Sequence, residues 1–121
     1  MRPLPLIAGL GLSFLAYQAH AEDISGNYAV TGMDPSGSRY SAKAKITMTG
    51  SQTAKIAMIL PQEEITGRCM VVDNTLACYA DLEGGQFSMA VYQRHSAGEY
   101  KGTWVHSGLK GQGQETLTQQ P

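Results

Sequence analysis

Catalysis needs groups that converge, and this chain offers few of them. Apart from His20, near the N-terminus, its histidines are His95 and His106. Neither lies in a nucleophile elbow or at metal-ligand spacing. The cysteines, Cys69 and Cys78, are the only two in the chain. Joined in one disulfide, neither is free as a nucleophile or a metal ligand. His95 stands beside the Ser96-Ala97-Gly98 turn and reads as a solvated loop residue. His106 follows Trp104 on the same strand face, near a strand end, where it can line a rim. The expectation is a protein that binds something without transforming it, with no cofactor and no metal.

Glu115 is the polar residue with most chemical interest. If Leu117 points inward at strand spacing, Gly111, Gly113 and Glu115 do as well, which sets a carboxylate inside the fold. A carboxylate removed from water needs a partner or takes up a proton. A tyrosine hydroxyl or a backbone amide on a neighbouring strand can supply that partner; orienting a ligand is the alternative role. Tyr28, Tyr40, Tyr100 and Trp104 are the large side chains available to fill the interior or, with Glu115, to contact a ligand.

The elements that must position these residues are clearest around Cys69-Met-Val-Val-Asp-Asn-Thr-Leu-Ala-Cys78. A two-residue turn at Asp73-Asn74 pairs Val72 with Thr75, Val71 with Leu76, Met70 with Ala77, and Cys69 with Cys78. Asp and Asn tolerate the left-handed backbone of such turns. Hydrogen-bonded and non-hydrogen-bonded pairs alternate outward from the turn, so the cysteines form a non-hydrogen-bonded pair. Such pairs have Cα atoms about 4.5 Å apart, within disulfide range. The cross-link is expected to stabilise the fold by roughly 2–3 kcal/mol and to face the core with Ile65, Val71, Leu76 and Ala80.

The chain opens Met1-Arg2-Pro3, continues as a short apolar stretch to Ala16, and reaches Ala19-His20-Ala21 before Glu22-Asp23. A positive start, an apolar run and a small-x-small site compose a secretory signal peptide over residues 1–21. The run is too short and too rich in Gly and Pro for a membrane anchor. The expected product is one domain over residues 22–121, periplasmic or secreted, where disulfides persist. Without Arg2, 8 basic residues face 10 acidic ones, a net charge of −2. No basic cluster appears, so nucleic acid is not an expected partner. The domain is expected to be monomeric.

From residue 24 onward the pattern has period two. Tyr40, Ala42, Ala44, Ile46 and Met48 form one face of a strand, and Ser41, Lys43, Lys45, Thr47 and Thr49 the other. Ala54, Ile56, Met58 and Leu60 mark a third strand; eight residues ending at Pro61 make a poor helix. Ile65, Gly67, Cys69 and Val71 line the fourth strand, and Leu76, Cys78 and Ala80 the fifth. Phe87, Met89 and Val91 are expected to line the sixth. Tyr100, Gly102 and Trp104 alternate along the seventh, and an eighth ends near Thr118. Short strands, Gly-rich turns and no credible helix predict an all-β fold. The expected form is a small antiparallel up-and-down barrel of about eight strands, with a β-sandwich as the alternative.

The motifs Ser25-Gly-Asn-Tyr-Ala-Val-Thr-Gly32, Asp34-Pro-Ser-Gly37, Asp73-Asn-Thr-Leu76, Gly102-Thr-Trp104 and Gly111-Gln-Gly-Gln-Glu-Thr-Leu117 run in an order that resembles a group of small exported bacterial β-barrel proteins. That resemblance implies a fold and no activity. The Gly-x-Trp strand is also loosely similar to avidin-like and lipocalin-like carriers, where it comes first rather than seventh, so no ligand residues are carried over. Ser36-Gly37-Ser38-Arg39-Tyr40 resembles the Ser-Gly-x-x-Tyr loop of periplasmic lysozyme inhibitors, though here it forms the first turn. Two functions are therefore expected: an exported binder of a small molecule or envelope component, or a protein-binding module or hydrolase inhibitor acting through residues 36–40. The small inward residues Ala42, Ala44, Gly67, Ala80 and Gly102 are compatible with either a cavity or a flattened, dry interior.

Overall fold

A computed structural model describes residues 23–121; the expected signal peptide lies outside the described residues. Eight strands follow one another: β1 (Gly26–Met33), β2 (Arg39–Met48), β3 (Thr53–Ile59), β4 (Glu64–Val72), β5 (Thr75–Asp81), β6 (Phe87–Ser96), β7 (Glu99–His106) and β8 (Gly113–Gln119). A 3-10 turn, Glu83–Gly85, joins β5 to β6. Each strand pairs antiparallel with the next, and β1 pairs with β8 from Tyr28↔Gln119 to Met33↔Gln114. That last ladder closes the sheet into a barrel and settles the choice against a sandwich. Closure leaves no strand edge unpaired.

The alternation in β2 explains why it is a strand. Ala44 and Ile46 are buried while Lys43, Lys45 and Thr47 are exposed, so one face enters the core and the other meets water. Residues 53–59, the only stretch where a helix is conceivable, are strand too, with Ala54 and Ile56 buried. The β4–β5 hairpin turns at Asp73-Asn74 in the expected register, with Cys69 opposite Cys78 and bonded to it. Asp73 alone among the non-glycine described residues has positive φ, at 52°.

β6 differs from expectation. Phe87, Met89 and Val91 are exposed, and Ser88, Ala90 and Tyr92 face inward. The reason is the ladder with β5, which pairs Leu76 with Tyr92, Cys78 with Ala90 and Ala80 with Ser88. Directly paired side chains lie on the same face of a sheet. With Leu76 and Ala80 committed to the core, the bulkier apolar set of β6 must point out. There Phe87 stacks on Tyr79, with ring centroids 6.0 Å apart.

The interior has two unlike ends. The first holds the β2–β3, β4–β5 and β6–β7 turns and the N-terminal entry into β1. Tyr28, Val30, Ile46, Leu76 and Leu117 are almost completely buried in this core. Ile24, ahead of β1, is buried beneath it and accepts a hydrogen bond through its carbonyl from the Tyr28 hydroxyl at 2.7 Å. The Ser25 hydroxyl takes the Met48 amide at 2.9 Å, tying this plug to β2. The opposite end holds the β1–β2, β3–β4, β5–β6 and β7–β8 loops, and it is open.

Candidate functional site: a carboxylate at the base of an open cavity

At the open end, one register row crosses five strands: Tyr92 (β6), Gly102 (β7), Glu115 (β8), Gly32 (β1) and Tyr40 (β2). Both immediate neighbours of Glu115 are therefore glycines. With no Cβ at those positions, each tyrosine leans across its glycine toward the carboxylate. The Tyr92 hydroxyl donates to Glu115 Oε1 at 2.5 Å and the Tyr40 hydroxyl to Oε2 at 2.7 Å. A Cβ on Gly32 would overlap the Tyr40 ring terminus, and one on Gly102 would overlap the Tyr92 ring. Trp104 follows the same rule, lying over Gly113 on β8 so closely that a Cβ there would overlap the indole. Tyr40 and Trp104 then meet edge to face, with centroids 6.3 Å apart and planes at 72°.

The electrostatics follow from this enclosure. Burial raises the pKa of Glu115, opposed by the Tyr92 and Tyr40 hydrogen bonds, and no cation contributes. Tyr92 is pushed well above its usual range by burial and then by the neighbouring carboxylate. Tyr40 is raised by burial and then by its hydrogen bond to Glu115. The Trp104 indole nitrogen is covered and has no hydrogen-bond partner, although it stands near enough to the Tyr40 hydroxyl to favour its ionised form.

Above the carboxylate lies a cavity of about 340 Å³ that opens between the loops. Ile56, Met58 and Ile65 form one wall, Ala80, Ala90 and Tyr92 another, and Trp104 and Tyr40 a third. Leu60, Leu82 and Leu109 from three of the loops stand at the mouth with Asp34, Glu63 and His106. The volume lies within the range of small-molecule sites, about 300–1,000 Å³. The interior is therefore not packed throughout. His106 accepts the Gly108 amide on Nδ1 at 2.9 Å, which leaves Nε2 as the protonated nitrogen of the neutral ring.

The sequence-selected residues divide between the two ends. Tyr40, Trp104 and Glu115 meet at the cavity. Tyr28 and Tyr100 do not line it: they pack on each other at the closed end, 6.4 Å apart and edge to face, because β1 and β7 carry them nearer the Ile24 plug. The Ser36–Tyr40 segment is also divided. Asp34 Oδ1 accepts the Ser36 amide, the Ser36 hydroxyl and the Ser38 amide at 2.9, 2.6 and 3.0 Å. Gly37 turns the chain with φ 93°, and Ser36, Gly37, Ser38 and Arg39 are exposed. Tyr40, by contrast, belongs to the interior. His95 is exposed, and no group of three potential metal ligands occurs among the described residues. Tyr92 is the site residue the sequence reading missed; extending the cystine register from β5 into β6 would have found it.

No protein-family model matches this chain, and no curated protein does. Solved structures do match. EF1p2_mFAP2b bound to DFHBI is 15% identical with a TM-score of 0.68, over 80% of this chain and 94% of that one. A de novo designed fluorescence-activating β-barrel is 13% identical with a TM-score of 0.67, over 83% and 96%. A redesigned barrel, mFAP1, bound to DFHBI, is 17% identical with a TM-score of 0.64, over 80% and 94%. At such identities the likeness is one of fold: this chain is a closed eight-stranded antiparallel β-barrel.

Proposed function

We propose that this protein is an exported, non-catalytic binder that holds a small, largely apolar molecule in the open end of its barrel. The observation that carries the reading is the 340 Å³ cavity over a single carboxylate with two hydroxyl donors. Apolar walls with a few fixed polar groups are the usual make-up of small-molecule sites. Similar barrels holding the fluorophore DFHBI support the idea that this architecture can take a ligand. Export rests on the residue 1–21 pattern and agrees with the cystine; no helix among the described residues is long and apolar enough to cross a membrane. The protein-docking alternative through residues 36–40 loses Tyr40, whose hydroxyl is engaged inside the barrel.

The test uses a neutral, environment-sensitive dye, N-phenyl-1-naphthylamine. It should bind one to one and quench the emission of Trp104, the only tryptophan in the chain. Ala90→Phe, which projects a ring into the cavity, should abolish both signals while the protein stays folded. Absence of saturable binding, or equal binding by the filled variant, would overturn the reading.

A further inference from the structure

The carboxylates around the cavity outnumber its one basic side chain, His106 at the mouth. Asp34, Glu63 and Glu115 line it, and no lysine or arginine does among the described residues. Glu115 is partly buried and reaches the cavity. Each of its oxygens accepts one tyrosine hydroxyl, and a carboxylate oxygen has a second acceptor position. The base of the site thus keeps acceptor capacity on both oxygens. An anionic ligand would meet a fixed carboxylate with no cation to offset it. A neutral hydroxyl could use that capacity but would leave the negative charge without a counter-charge.

Two further features favour a cation. Trp104 and Tyr40 line the cavity beside the carboxylate, and aromatic rings attract ammonium groups through their faces. Asp34 and Glu63 at the mouth give the entrance the same sign as the base, which draws cations inward. Ile56, Met58 and Ile65 offer the rest of the molecule an apolar wall.

We infer that the ligand is an organic amine: a protonated primary or secondary ammonium that donates to Glu115, with an apolar or aromatic body along the β3–β4 wall. The inference rests on the small-molecule reading and narrows it to one chemical class.

Three probes of equal length separate the possibilities: 4-phenylbutylamine, 4-phenylbutanol and 4-phenylbutyrate, each titrated calorimetrically into the purified protein. The amine should bind at least about tenfold more tightly than the alcohol, as expected for one charge-assisted hydrogen bond in a sheltered site. The carboxylate should bind weakest. In Glu115→Gln, with folding checked by circular dichroism, the preference for the amine over the alcohol should shrink to the smaller part that the rings and the mouth carboxylates supply. Equal or tighter binding of the alcohol or the carboxylate to the unaltered protein overturns the amine assignment. That result needs no variant, so it stands even if Glu115→Gln fails to fold. Retention of the full, undiminished amine preference in a folded Glu115→Gln protein also overturns it. If none of the three binds but the neutral dye does, the amine assignment fails and the small-molecule reading survives. If the dye fails as well, both fall.

Discussion

The closed and open ends of the barrel use the same kinds of side chain to opposite effect. Each has an edge-to-face aromatic pair at nearly equal separation, Tyr28–Tyr100 at 6.4 Å and Tyr40–Trp104 at 6.3 Å. At the closed end the rings have side chains for neighbours. Tyr28 pairs with Ala44 and Gln119, and Tyr100 with Arg94 and Leu117. The space is filled, and Ile24 seals it. At the open end the rings lie over Gly32, Gly102 and Gly113, a carboxylate occupies the centre, and no described residue plugs the mouth. Aromatics over side chains make a core, whereas aromatics tipped over glycines leave a concavity and bring their polar ends together. The polar partner differs too, being a backbone carbonyl at one end and a titratable group at the other.

The sharpest way to break this contrast is to cut matching holes in both ends. Leu117→Ala, at a position with no exposure, should cost about 2–5 kcal/mol, because the surrounding side chains cannot close the gap. Met58→Ala, on the cavity wall, should cost roughly half as much or less, since its side chain already borders open space. Chemical denaturation measures both. Equal losses would mean the open end is packed like the closed one.

A somewhat smaller effect is expected of the glycine seats. Gly113→Ala should cost about 1–3 kcal/mol by forcing Trp104 off β8, with a change in tryptophan emission. Gly37→Ala, where a Cβ meets nothing, should leave the emission alone and show only the backbone strain of a positive φ. An unmoved indole in Gly113→Ala would contradict the seating.

The smallest effect is a matter of pH. The folded pKa of Glu115 is raised above its ordinary 4.5, so the folded state holds the proton more tightly than the unfolded chain. Stability from this group is fully present below 4.5 and declines as pH rises toward the raised folded value. Glu115→Gln should therefore melt with a flatter pH profile on the acid side. Tyr28→Phe, at the other end, should lose about 0.5–1.5 kcal/mol at every pH, since its bond goes to the Ile24 carbonyl. Superimposable pH profiles for Glu115→Gln and the unaltered protein would show that the carboxyl titrates as it does in water.

The closed end and the hairpins were largely legible in the sequence. Alternation through β2 and β3 marks their inner faces, and the ten-residue cystine stretch has one register that bonds its cysteines. Counting back from Leu117 placed Glu115 indoors. β6 resisted because both of its faces are apolar, Phe87-Met89-Val91 on one and Ala90-Tyr92 on the other. Hydrophobicity alone favours the larger set; only the ladder from Leu76 and Cys78 decides for Tyr92. Ile24 escaped notice because it precedes the first strand, and a plug has no period. The cavity itself has no local signal, since its walls come from β2 to β8, brought together only when the barrel closes.

The ladder between β1 and β8 has a further consequence, for the order of folding. Every other ladder joins strands that are consecutive in the chain, so each can zip locally. The β1–β8 ladder must bring together segments from opposite ends of the domain, the most distant contact the topology contains and the slowest kind to form. Glu115 reaches Tyr40 across β1, over Gly32. That hydrogen bond, between residues 75 positions apart, can form only once β8 has docked. A chain folded as far as β7 holds its hairpins and its cystine but has no base to its cavity. The Tyr92–Glu115 bond lies within the β6–β7–β8 meander, so barrel closure completes the carboxylate site by adding Tyr40 to it.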